Sequence, residues 1–340
     1  KPVLEGVLAN TGDQETGDGS AQYWLSPSGT LLYRESQVFD REQRTEFMWV
    51  DLSGKETPAF AVDMRVLKFE LSPDGSRMAL TGRTANGIGV WVRDMQRGSI
   101  VPLSTDGDGS VSPVWSPDGR LIARSWRPRD GKRTLRISDP SGGVAERDIP
   151  SQMTALEPTS WSRDGQSLLV DYYTDRGAFD VGVLSLVEEG KIRPVVEYPG
   201  YDGAAQLSPD GRYFVYYSRG GGHDQVFVTP FPGPGPRWEV STRFGGQPRW
   251  SNDGRAIYFV EEDSLMEASV AETGGSLQIG TPRVIYHGDL DSDPSKPVYA
   301  VHPDGKRFLV IKRQAQGQQD PYHAVIVFGW LQELEEKMRQ

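Results

Sequence analysis

The chain has no cysteine among its 340 residues, so a disulfide framework, a zinc ribbon and a thiol nucleophile are all excluded. It has only four histidines, His223, His287, His302 and His323, and none stands in an HExxH or HxH spacing. Without clustered imidazoles a transition-metal hydrolase lacks its ligand set. Long apolar runs are missing too: Ala324 to Leu331, the longest, falls well short of the roughly 20 residues of a membrane-spanning helix. Positive charge is in deficit. Lys and Arg number 37 against 47 Asp and Glu, a net charge of -10, which argues against a nucleic-acid surface, since that needs a basic stripe. No Gly-x-Ser-x-Gly elbow marks a serine hydrolase. Nor does a Gly-rich loop with a following Lys, a His-Arg-Asp or an Asp-Phe-Gly mark a kinase. The chain starts at Lys1 without Met or signal peptide, which predicts a processed form or a piece of a longer protein.

What is abundant is glycine and proline, 39 and 24 residues, and they recur in one pattern. Leu25-Ser-Pro-Ser-Gly29, Leu71-Ser-Pro-Asp-Gly75, Trp115-Ser-Pro-Asp-Gly119, Trp161-Ser-Arg-Asp-Gly165, Leu207-Ser-Pro-Asp-Gly211, Trp250-Ser-Asn-Asp-Gly254 and Val301-His-Pro-Asp-Gly305 make seven copies. Their glycines are spaced by 46, 44, 46, 46, 43 and 51 residues, a period that marks a propeller or solenoid. Pro presets φ for a type I turn, Ser and Asp suit the flanking positions, and Gly takes the left-handed site that closes a hairpin. An apolar residue precedes each turn, and a short β-rich run such as Tyr213-Phe-Val-Tyr-Tyr217 or Phe308-Leu-Val-Ile311 follows it.

Third and fourth strands follow in most units, such as Gly89–Arg93 with Ile100–Leu103, giving the four-stranded blade of a β-propeller. The expectation is an all-β, seven-bladed β-propeller of four-stranded antiparallel blades, one domain over residues 1–340. Its blades fall at about 21–62, 66–106, 110–152, 156–199, 203–242, 246–290 and 296–328. The last unit runs out of strands after Phe328, so Val3–Leu8 is expected to complete it and remove an open edge. Trp330, Leu331, Leu334 and Met338 lie at helical spacing and predict a short C-terminal helix packed on the outside.

These repeats resemble the WD40-like, TolB-type bacterial propeller over essentially the whole chain. Tyr213–Gly288 carries a narrower likeness. Tyr216-Tyr-Ser-Arg, Gln225-Val-Phe-Val-Thr-Pro-Phe-Pro-Gly233, Trp238-Glu-Val-Ser-Thr and Gly280-Thr-Pro-Arg-Val-Ile-Tyr286 resemble propellers at the C-terminus of bacterial membrane-anchored Ser/Thr protein kinases. That resemblance implies an extracytoplasmic sensor or protein-binding module, tethered only through an anchor upstream of Lys1. A stand-alone periplasmic scaffold similar to TolB is the alternative, and a hydrolase or lyase at the channel mouth a third reading.

In a propeller the first strand of each blade lines the central channel. The residues just before the apolar anchors therefore form the expected ligand- or peptide-binding set: Gln22, Lys68, Glu70, Ser112, Glu157, Asp202, Gln206, Gln247, Arg249 and Lys296. They are polar, of mixed sign, and different in each blade, as a binding funnel requires. No cofactor is expected beyond a possible structural Ca²⁺ on Asp289, Asp291 and Asp293, whose alternating carboxylates suit a hard cation. Asp106-Gly-Asp-Gly-Ser110 shows the same alternation, and neither loop has the pattern of an EF-hand. The turn aspartates recur all round the ring and read as structural. His302, standing where other copies have Ser, reads as a hairpin residue. Loops with aromatics, Asp171–Phe179 and Thr229–Pro236, are further protein-contact surfaces.

Overall fold

The computed structural model describes residues 23–34, 44–84, 87–104, 111–126, 134–151, 153, 155–188, 190–233, 235–288, 290–312, 324–328, 330, 331 and 334. They form antiparallel strands almost throughout, and no helix among them is long and apolar enough to cross a membrane. The chain divides into two units, one of residues 1–43 with 315–340 and one of residues 44–314.

The larger unit is a ring of six blades. Blades 1 to 5 begin with the inner strands Arg65–Leu71, Val111–Trp115, Leu156–Trp161, Asp202–Leu207 and Gly246–Trp250, and each continues outward in chain order. Blade 5 has five strands, with Ser276–Ile279 and Arg283–His287 both paired to Ser264–Thr273, which accounts for part of the longest interval between motifs. Blade 6 is built from both ends of the unit. Tyr299–Val301 and Arg307–Lys312 supply its inner half, and Thr45–Asp51 and Glu56–Val62 its outer half, with Leu309 opposite Trp49. Pairing the first strands with the last leaves the ring no open seam.

Six apolar clusters fill the six junctions between successive blades. Phe47 of blade 6 meets Phe69 of blade 1 edge-on at 5.1 Å, and Tyr258 of blade 5 meets Phe308 of blade 6 at 4.8 Å. Burying such rings contributes about 2–3 kcal/mol each, and the edge contacts add to it. The motif tryptophans work at these junctions. Trp115 and Trp250 are buried and donate their indole N–H to the carbonyls of Glu70 and Gln206 on the preceding inner strands, at 3.3 and 3.2 Å.

The turns behave as their chemistry requires. All seven motif glycines have φ between 67° and 83°, and each donates its N–H to the carbonyl at the Ser (or His302) position. In blades 1 to 5 the Ser hydroxyl donates to the turn aspartate at 2.6–2.7 Å and accepts the amide five residues on.

The smaller unit is a three-stranded sheet in which Tyr23–Leu25 pairs with Leu31–Arg34, which pairs with Ala324–Val327. Trp330 and Leu331 begin a helical turn, and the Trp330 amide donates to the Gly29 carbonyl at 2.8 Å.

Among the described residues seven sheets form for seven motifs, but two are composed otherwise than the sequence suggests. The hairpin of the first motif does not take Phe47–Asp51 as its third strand, and Ala324–Val327 does not extend the last motif's hairpin. These outer strands are exchanged, so the ring counts six blades rather than seven. The physical reason is fit: Phe47 and Val50 are buried where they face the Arg307–Lys312 strand, in clusters that bridge to blades 1 and 5. Val3–Leu8, expected to close the ring, lies outside the described residues.

Candidate functional site at the centre of the ring

Five of the six inner strands slip register by a bulge just before the apolar anchor. A bulge re-aims side chains and frees backbone groups from the ladder. Three bulged positions, Ser112, Ala204 and Gln247, hold non-glycine residues at φ 56°, 49° and 54°. Such backbone costs of order 1 kcal/mol or more and persists where its surroundings demand it.

The bulges gather the principal polar cluster. Lys68 from blade 1 donates to Glu157 of blade 3 at 2.6 Å and to the Ser112 hydroxyl of blade 2 at 2.9 Å. Ser112 in turn donates to the same Glu157 oxygen at 2.6 Å, while its amide is held by the Thr81 hydroxyl at 3.2 Å. Lys68 and Glu157 remain about one-quarter and one-fifth exposed, so the cluster is reachable. Chemically it offers a cation and an anion fixed side by side. Lys68 is engaged as a donor to a carboxylate, an arrangement that suits recognition of a polar group.

Asp171 sits directly opposite Glu157 in the sheet and accepts the Ala204 amide at 2.8 Å. Burial pushes its carboxyl up to about 7, with Glu157 and Asp202 adding to the rise and Lys68 and the Ala204 amide opposing it. Two residues beyond Lys68 on the same strand face is Glu70. It lines a cavity of about 230 Å³ at the motif-turn end of the inner strands, with Val114, Trp115, Ser160, Trp161 and Leu207. Burial pushes Glu70 up to about 8, against the pull of Arg249 from blade 5 and a backbone hydrogen bond from Trp115.

The other expected site residues are used differently. Asp202 is buried and accepts the Tyr198 amide at 3.0 Å, so it is not presented to a ligand. Gln206 donates to the Thr159 carbonyl and ties blade 4 to blade 3. Gln247 is 1% exposed and fully occupied. Its amide donates to the Asp291 and Asp293 carbonyls at 2.8 and 2.7 Å, and its oxygen accepts the Val298 amide at 2.9 Å. Gln247 therefore clamps the 291–298 loop.

In that loop the Asp293 carboxylate is taken by Ser295 and by Lys296, the latter at 2.9 Å, and Asp291 accepts the Asp293 amide at 3.0 Å. Among the described residues no three His, Cys, Asp or Glu side chains group as metal ligands. Gln22, Asp289 and residues 106–110 lie outside the described residues.

Sequence reasoning missed Asp171 as a member of this site, although a lone carboxylate in the apolar run Ser167-Leu-Leu-Val-Asp-Tyr-Tyr173 is the signal that could have found it. An aromatic loop lies beside it in sequence. Tyr173 and Phe179 pack at 5.2 Å, Tyr201 joins them at 6.4 Å, and Tyr173 and Tyr201 remain exposed.

A closed ring of antiparallel blades, four-stranded apart from the five-stranded blade 5 and joined at one blade by strands from both ends, is a β-propeller. The likeness to solved structures is direct. A protein from Agrobacterium tumefaciens described as TolB superposes with a TM-score of 0.62 at 20% identity, covering 79% of this chain and 98% of that one. TolB from Acinetobacter baumannii gives a TM-score of 0.50 at 17% identity, covering 86% and 79%. Among curated proteins, the uncharacterized peptidase YuxL of Bacillus subtilis is 26% identical over an alignment of 189 residues that covers 43% of this chain and 28% of that protein. The match thus spans under a third of the peptidase's length. No family model matches the chain.

Proposed function

We propose that this propeller is a non-catalytic recognition module that binds a protein segment or peptide at the centre of its ring. The observation that carries the reading is the Lys68–Ser112–Glu157 cluster. Three successive blades deliver one polar group each to one point, on bulged backbone, and leave it part-exposed. A peptide supplies both partners that such a pair needs, a carbonyl or carboxylate for Lys68 and an N–H or ammonium for Glu157. The TolB-type fold supports the reading at the level of architecture.

The finer setting is an extracytoplasmic sensor at the C-terminus of a membrane-anchored Ser/Thr kinase, supported by the likeness across Tyr213–Gly288. A stand-alone periplasmic scaffold is the alternative, and the gene sequence upstream of Lys1 distinguishes them: a kinase domain with one membrane span, or a signal peptide. The binding site itself is tested by panning a random peptide library on the protein and on Lys68→Glu. Peptides enriched on the first should bind the variant at least about tenfold more weakly. Failure to enrich any peptide, or peptides indifferent to the substitution, defeats the proposal.

A further inference from the structure

A second cavity, of about 380 Å³, opens at the seam where blade 6 meets blade 1, and Trp49, Phe60, Arg93, Met95, His302 and Arg307 line it. Its chemistry differs from that of the ring centre. The Arg93 guanidinium lies 4.0 Å over the Phe60 ring, and that of Arg307 lies 4.3 Å over Trp49. A guanidinium carries its N–H groups in its own plane, where they meet acceptors edge-on, and the aromatic face beside it satisfies none of them as a lone pair would. Arg307 shares Asp304 at 3.1 Å, but among the described residues no carboxylate pairs with Arg93. Its Nη1 donates to the Gly98 carbonyl at 2.7 Å, and its Nε is buried without a partner. In a chain of net charge -10, two arginines against one aspartate make this cleft a local positive site.

The seam is also where the repeat departs from itself. His302 stands in the place of the turn serine of the other six motifs. It keeps the contact with the turn aspartate, its Nδ1 lying 2.9 Å from Asp304, while its ring packs edge-on to Trp49 at 5.3 Å and its Nε2 faces Arg307 at 3.4 Å. A larger side chain here shapes the floor of the cleft and holds the Trp49–Arg307 stack. None of this is needed for the turn, which serine closes elsewhere.

We propose that this cleft binds a small aromatic oxyanion, a carboxylate or phosphate carried on a planar ring. The charge is met by the guanidinium edges of Arg93 and Arg307, and the ring is received by the apolar wall of Trp49 and Met95. Because Trp49 belongs to the N-terminal half of blade 6 and Arg307 to the C-terminal half, an occupant bridges the closure of the ring and stabilises it by mass action.

The test is isothermal titration calorimetry of the full chain with phenyl phosphate, benzoate and inorganic phosphate. Arg93→Gln and Arg307→Gln are compared with Arg212→Gln, an exposed arginine of blade 4, as the charge control. Phenyl phosphate and benzoate are expected to bind one per chain and to raise Tm. Each cleft substitution should weaken them at least about tenfold, the loss of one charge-assisted hydrogen-bonding group, and the control should not. Arg307 is two-fifths exposed, so its variant should fold and serve even if Arg93→Gln does not. Absence of binding at millimolar ligand, equal weakening by Arg212→Gln, or inorganic phosphate binding as tightly as phenyl phosphate would overturn the proposal.

Discussion

Lys68 and Glu157 lie 89 residues apart in the chain and meet at 2.6 Å, with the Ser112 hydroxyl of the intervening blade bonded to both. The pair thus ties three blades at the centre of the ring. Removing one partner leaves a partly buried charge unpaired, while removing both does not. A double-mutant cycle with Lys68→Met and Glu157→Gln is expected to show a coupling of about 1–2 kcal/mol, Lys68→Met costing the more because it leaves both Glu157 and Asp171 without their cation. Additive single effects in denaturant unfolding would refute the tie.

The two raised carboxyls give the protein an unusual dependence on pH. Asp171 at about 7 and Glu70 at about 8 hold protons in the folded state that the unfolded chain has released above its ordinary carboxylate range. The folded state then binds more protons than the unfolded one, so stability falls as pH rises from about 4 to about 8 and levels off beyond. Asp171→Asn and Glu70→Gln should each flatten this fall and raise stability at pH 8 by about 1 kcal/mol, less than the full shift because both sites keep some contact with solvent. Unfolding curves at pH 5 and 8 measure it.

The turn aspartates act in the opposite sense. Asp74 is held down to about 2 by the Ser72 and Ser76 hydroxyls and the Ser76 amide. Its contribution is present above the unfolded value near 3.8 and lost as pH falls toward 2. Asp74→Ala should lower stability by about 1 kcal/mol at pH 6, and the difference should vanish near pH 2. A difference that persists in acid would assign the effect to the backbone.

Gln247 is predicted to be structural. Its side chain makes three hydrogen bonds to the backbone of residues 291–298. Gln247→Ala leaves those groups unsatisfied and should destabilise by about 2–3 kcal/mol. Hydrogen exchange should show the Val298 amide losing protection first. Retained protection there would mean that the loop holds itself.

Ala204 offers a gain. At φ 49° its Cβ is strained, whereas glycine adopts that backbone freely. Ala204→Gly should stabilise by about 0.5–1 kcal/mol, the relief exceeding the added freedom of the unfolded chain. A loss of stability on thermal unfolding would show that the Ala204 methyl is needed for packing.

The amino-acid sequence by itself determined the repeating unit: each Ser-Pro-Asp-Gly turn is a local object, closed by hydrogen bonds within six residues, so its seven occurrences and the strands beside them were legible. It also put Lys68, Ser112 and Glu157 in the expected central set, because they stand just before the apolar anchor of a turn, which is a short count along the chain. What only the tertiary structure decided is which outer strand completes which sheet. Thr45–Asp51 could follow its own hairpin by proximity in sequence, but burial of Phe47 and Val50 sets it against Arg307–Lys312, and the ring closes at six. The bulges that bring Asp171 to the cluster, the clamp that occupies Gln247 and the stacks of Arg93 on Phe60 and Arg307 on Trp49 are decided there as well. Each is a contact between residues dozens to hundreds of positions apart, and no local pattern encodes which of many polar side chains finds such a partner.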